Sequence, residues 1–172
     1  ILLPKDLMKR KLIYEVIENN PGIHFRELLR KLNLNVGDLQ YHLDVLEKQY
    51  LIISREESGY KRYYPRAMEK PEEKKYLPFL RQSIPRKIII IILENDSADI
   101  EMIENETKLN RNTIFYHIKK MLNNGIINKI EKEGKIIYSV NNSEEVARTI
   151  IKYKESFQDK FVDKFIEFWE RS

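Results

Sequence analysis

Apolar residues recur along the chain at helical spacing, then at strand spacing, and the whole alternation occurs twice. Lys5 to Asn19 carries Leu7, Met8, Leu12, Ile13, Val16 and Ile17 at intervals that predict a helix with one apolar face. Asn20-Pro21-Gly22 stops it, because proline withholds an amide hydrogen and glycine accepts a left-handed exit. A second helix is expected from about His24 to Leu32, with His24 at the N-cap and Glu27 three residues on. Asn33-Leu34 is a tight turn. Asn35 then caps a third helix whose Val36, Leu39, Leu43 and Leu46 form a buried stripe, while Gly37, Gln40, Tyr41, Asp44 and Lys48 point outward. Two short helices joined by so few residues are a helix-turn-helix signature. Leu51 to Arg55 and Lys61 to Tyr64, either side of Glu57-Ser58-Gly59-Tyr60, read as a β-hairpin.

The same series returns 75 positions later. Tyr41-His42 falls on Tyr116-His117, Ile13 on Ile88, Asn20 on Asn95, Leu28 on Ile103, Gly59 on Gly134 and Tyr63 on Tyr138. Few residues are identical, yet apolar meets apolar at nearly every core-type position, which two copies of one unit explain better than chance. Asp99 and Asn110 take the two capping positions in the second copy. The expected architecture is mainly α with small β-hairpin wings: two tandem winged-helix units at 1–64 and 81–142, joined by a charged linker at 65–80.

Residues 143–172 have no counterpart in the first copy. Ser143 is a good N-cap, and Val146, Ile150, Tyr153, Phe157, Phe161, Phe165 and Phe168, with Trp169 beside them, predict one long amphipathic helix to about Trp169. Such an aromatic stripe needs cover. It folds back on the second unit or pairs with its twin, and its size favours a homodimer.

Composition removes several classes of chemistry. There is no cysteine, which excludes disulfides, thiolate catalysis and cysteine-based zinc sites, and the three histidines are too scattered for a metal centre. His42 and His117 flank apolar stripes and read as partly buried, satisfied side chains. No glycine-rich phosphate loop and no Gly-x-Ser-x-Gly elbow occurs, so neither catalysis nor a cofactor is expected, and no small-molecule effector is legible. No apolar run approaches a membrane span, and a cytoplasmic location is expected. The chain begins with Ile1-Leu2-Leu3 rather than methionine, which leaves room for an upstream segment or tether.

Asn20-Pro21-Gly22-Ile23-His24-Phe25-Arg26-Glu27-Leu28, then Leu39-Gln40-Tyr41-His42-Leu43 and Leu46-Glu47, resemble the archaeal winged helix-turn-helix transcription regulators related to the ArsR and MarR groups. Thr113-Ile114-Phe115-Tyr116-His117-Ile118-Lys119-Lys120 is similar to the same group more loosely. The resemblance implies a DNA-binding regulator, commonly dimeric, with the third helix in the major groove and the wing near the minor groove.

Net charge is +4 and evenly spread, which permits contact with double-stranded DNA without demanding it. Base reading needs donors and acceptors ringed by cations. In the first copy Arg26, Arg30 and Lys31 on the second helix and Arg55, Lys61 and Arg62 on the wing are expected to grip the backbone, with Asn35, Gly37, Gln40 and Tyr41 nearby. In the second, Arg111, Asn112, Thr113, Tyr116, Lys119 and Lys120 are expected to read bases, with Lys132 and Lys135 on the wing. The acidic run Asp96, Asp99, Glu101, Glu104 and Glu106 would repel phosphates if it faced them. It keeps a second reading open, in which a winged helix docks a component of the transcription machinery or of a membrane-attached complex.

Overall fold

The computed structural model describes residues 5–57, 59–68, 70–157 and 159–171. Ser58 of the expected hairpin turn and Ile1-Leu2-Leu3 lie outside them. The chain divides into two units, 1–78 and 79–172.

The first unit runs α1 (Lys5–Asn19), β1 (Ile23–His24), α2 (Phe25–Leu32), α3 (Val36–Lys48), β2 (Ile52–Glu57) and β3 (Tyr60–Pro65). α1 ends where Asn20 donates its amide and its side chain back to the Val16 carbonyl, at 2.9 and 2.8 Å. The His24 ring accepts the Glu27 amide and Asn35 Oδ1 accepts the Asp38 amide, as their capping positions predict. Ile13, Ile17, Ile23, Leu28, Leu39, Leu43, Leu46, Ile52 and Tyr63 pack into one core. The helical spacing overreached at two places. Leu7, Met8 and Leu12 are 44%, 54% and 52% exposed, and Val36 in the first turn of α3 is also at the surface. The buried side of α3 instead includes His42, which is completely enclosed.

One strand escapes the sequence. β1 is only two residues long, yet it pairs antiparallel with β3 (Ile23 opposite Tyr63, His24 opposite Arg62) to make a sheet of order β1-β3-β2. This third strand explains why β3 is buried from Arg62 to Pro65. The stretch expected as a linker contains a helix, α4 (Glu73–Leu80), whose Tyr76, Leu77, Phe79 and Leu80 are buried.

The second unit contains α5 (Ser83–Asn95), α6 (Ile100–Thr107), α7 (Arg111–Asn123), β4 (Ile127–Lys132), β5 (Lys135–Val140), α8 (Ser143–Lys152), α9 (Lys154–Phe157) and α10 (Lys160–Arg171). The offset of the repeat survives in three dimensions: α6, α7, β4 and β5 each begin 75 residues after α2, α3, β2 and β3. The Ile23–Tyr63 pairing returns as the bridge Ala98–Tyr138, with amide-to-carbonyl bonds of 3.0 and 2.8 Å. Asn110 caps α7 through the Thr113 amide, as Asn35 caps α3.

The single long C-terminal helix is not what forms. The chain breaks after Lys152 and again before Lys160, where Asp159 Oδ1 accepts the Phe161 amide and caps α10. The breaks fold the apolar stripe back on itself. Val146, Ile150, Tyr153, Phe157 and Phe165 are buried within their own unit, against α5 and β5 among others. These five, expected to make a dimer, therefore serve as core. Phe161 and Trp169 are partly exposed and Phe168 is 43% exposed. A buried clasp secures the fold: both Arg86 Nε and Nη2 donate to Asp159 Oδ2, at 3.1 and 2.7 Å, while Nη1 donates to the Leu80 carbonyl. No helix among the described residues is long and apolar enough to cross a membrane.

Candidate nucleic-acid interface

In the first unit the N-terminal turn of α3 stands at the surface, with Asn35, Val36, Gly37, Gln40 and Tyr41 exposed. Gly37 has no structural need to be glycine: a Cβ there would meet nothing closer than Asn35 Oδ1 at 3.6 Å. A helical glycine sacrifices roughly 0.5–1 kcal/mol against alanine, so this position keeps a bare backbone at a stability cost. Gln40 donates to Asp44 at 2.9 Å, and Lys9 holds Asp38 at 3.0 Å, so these two of the three acidic side chains of α3 are answered locally.

Around this turn Arg26, Arg30 and Lys31 of α2 and Arg55 and Lys61 of the wing are all exposed. A cleft of about 450 Å³ separates the start of α2 from the wing, lined by His24, Phe25, Arg26, Gly59, Tyr60 and Lys61. Its wall is rigid because the His24 ring stacks on Tyr60, centroids 5.1 Å apart.

Arg62 does not belong to this surface. It is 2% exposed, and its Nη1 donates to the Gly22 carbonyl at 2.9 Å. The expected backbone contact is thus a structural cation that ties the α1–β1 turn to the sheet. Its burial follows from β1, the strand too short to read in sequence. His42 also departs from expectation. It is fully buried, and neither ring nitrogen has a hydrogen-bond partner among the described residues. Burial pushes its pKa below the ordinary imidazole value. His117, only partly covered, is lowered by burial and by the nearby Lys120.

The second unit places Arg111, Asn112, Tyr116 and Lys119 at the surface and Thr113 and Lys120 partly so, with Lys132 and Lys135 exposed on its wing. The Lys120 ammonium sits 4.6 Å from the Tyr116 ring centroid. Arg111 is engaged: Nε and Nη2 both donate to Glu104 Oε1, at 3.0 and 2.5 Å. The bond to Glu104, and its charge, raise the Arg111 pKa. Exposed pairs of this kind are weak, but Glu104 lies one turn from Glu101 on α6, and both act on Arg111. The cleft equivalent to the first unit's, about 370 Å³, is lined by Asp99, Ile100, Glu101, Arg111, Phe115, Gly134, Lys135, Ile136 and Tyr138. Among the described residues no group of three His, Asp or Glu is placed to hold a metal ion.

A family profile described as an N-terminal HTH domain matches residues 8–77. An uncharacterized HTH-type transcriptional regulator of Methanocaldococcus jannaschii is 36% identical over 135 residues, which cover 78% of this chain and 34% of that protein. The chain therefore spans about a third of that relative's length. Among solved structures, a chain of the endosomal complex ESCRT-II is 18% identical, with 78% of this chain and 61% of that one covered and a TM-score of 0.33. Residues 8–77 form an N-terminal helix-turn-helix domain, in a chain that is similar to archaeal helix-turn-helix transcriptional regulators.

Proposed function

We propose that this chain is a cytoplasmic, sequence-reading regulator of transcription that binds double-stranded DNA chiefly through its first unit. The observation that carries this reading is the exposed first turn of α3 between two cationic rims. Arg26, Arg30, Lys31 and Lys61 make no ion pair among the described residues, so they meet phosphates without first leaving a carboxylate. Gly37 lets a groove edge approach the backbone, and Gln40 and Tyr41 supply a polar and an apolar contact to bases. The family match over residues 8–77 and the relative named as a transcriptional regulator support the same assignment. The base-reading role expected of Arg111, Asn112 and Thr113 becomes secondary, since Arg111 is paired with Glu104. Any homodimer built on the C-terminal segment would rest on Phe161, Phe168 and Trp169, the part of the stripe left at the surface.

Sequencing of duplexes recovered from random DNA tests the proposal. The intact protein should enrich a shared motif, and an Arg26→Ala/Lys61→Ala variant should lose affinity. Each phosphate contact removed should flatten the plot of log affinity against log salt by about 0.9. An unchanged slope would remove these side chains from the interface, and absence of any motif would remove sequence reading.

A further inference from the structure

The clefts of the two units coincide in the repeat but differ in chemistry: the first is lined by cations alone among its charged groups, the second by carboxylates as well and by apolar side chains. His24 becomes Asp99, Arg26 becomes Glu101, Lys61 becomes Ile136, and Gln40 of α3 becomes Phe115 of α7. We propose that the second cleft is a docking site for a cationic amphipathic segment of a partner protein.

Both halves of that chemistry are on the surface. Phe115 and Ile136 are each 42% exposed and, with Ile100 and Tyr138, give the cleft an apolar lining. A contiguous exposed apolar patch rimmed by polar residues marks an interaction surface. The α6 side carries Asp99 and Glu101, with Glu104 one turn farther along. Glu104 already answers the charge of Arg111, which leaves Lys135 on the wing as the other cation of the lining. A duplex approaching here would set phosphates against carboxylates. A helix with leucine-type side chains on one face and lysines at its margin would satisfy the floor and the wall together. The inference is independent of DNA reading by the first unit, because no residue is shared.

The test uses the full chain labelled for amide NMR at physiological salt, with three probes. One is a helical peptide of about 16 residues with leucine on one face and lysine on the other. The second replaces every lysine with glutamate, and the third is a DNA duplex. The lysine peptide should move the amides of Glu101, Phe115, Gly134, Lys135 and Ile136, and the glutamate peptide should not. Glu101→Lys and Phe115→Ser, both at exposed positions and checked for an intact spectrum, should each weaken the lysine peptide tenfold or more. Three results would overturn the proposal: equal binding by both variants, displacement of these amides by duplex instead of peptide, or their displacement on raising protein concentration alone. The last would assign the cleft to a second copy. DNA reading stands or falls separately, on the amides of Arg26, Gly37 and Gln40.

Discussion

Asp159→Ala is expected to unfold the second unit far more readily than a surface change, and the reason is the clasp with Arg86. Both side chains are nearly dry, 8% and 9% exposed, with a closest approach of 2.7 Å. At that separation an effective dielectric of 20 gives an attraction of about 6 kcal/mol. Dehydrating two ions removes several kcal/mol each, so the intact pair contributes little net. Removing one partner is different, because the guanidinium stays buried beside Phe157 with only the Leu80 carbonyl, among the described residues, to answer it. Such truncations cost about 3–5 kcal/mol. Losing the cap on the Phe161 amide adds roughly 1 kcal/mol. A total of about 4–6 kcal/mol is comparable with the whole stability of many domains. Trp169, the sole tryptophan, lies 6.1 Å from the Phe165 ring on α10 and reports this unit selectively. Urea titrations followed at its emission should show the loss, while Arg86→Met/Asp159→Ala should recover to within about 2 kcal/mol of the parent, since no lone charge remains. A single-variant loss below about 1 kcal/mol at unchanged m would refute the reasoning.

Three further outcomes are expected. His42 has a folded pKa below its unfolded one, so its stabilising effect is present above about pH 6.5 and is lost as pH falls through the folded value. Unfolding midpoints of the first unit should therefore drop between about pH 7 and 5, and His42→Leu should flatten that trend; an identical trend in the variant would place the titration elsewhere. Gly37→Ala should stabilise the first unit by about 0.5–1 kcal/mol and yet weaken duplex binding; unchanged binding in a retention assay would remove the close approach proposed there. Arg62→Ala should destabilise the first unit by about 1–3 kcal/mol, because the buried Gly22 carbonyl loses its donor, while the salt slope of duplex binding stays the same. A flattened slope at intact stability would return Arg62 to the interface.

Local chemistry was readable in the sequence, and tertiary cover was not. Asn35, Asp99 and Asn110 announce helix starts because a cap is settled within three residues. The doubled Tyr-His pair fixed the repeat, and the register it set reaches the Ala98–Tyr138 bridge. Arg62 looked like any wing cation, since its burial depends on a two-residue strand that leaves no periodic trace. The stripe from Val146 to Phe168 told which side chains seek cover but not where the helix would turn, a matter decided by Asp159 meeting Arg86 across 73 positions. Leu7, Met8 and Leu12 show the converse error: their spacing is right for a core, and nothing among the described residues covers them fully. The carboxylates of the second cleft were visible as an acidic run, but the apolar lining of Phe115 and Ile136 appears only once the wing is set beside α7.

The five consecutive isoleucines of α5, Ile88 to Ile92, are all fully buried, so the middle of that helix has no solvent side. α6, α7 and β5 pack on it, and so does α10, which is made last. During synthesis at about 5–20 residues per second, the stretch between α5 and Phe165 takes roughly 4–15 s to emerge. For that interval the isoleucine-rich centre of α5 waits with part of its circumference uncovered. The second unit is therefore the part of the chain with a natural need for a chaperone or a slow, protected exit, and a ribosome stalled after the wing should hold a sticky intermediate while the first unit is already complete.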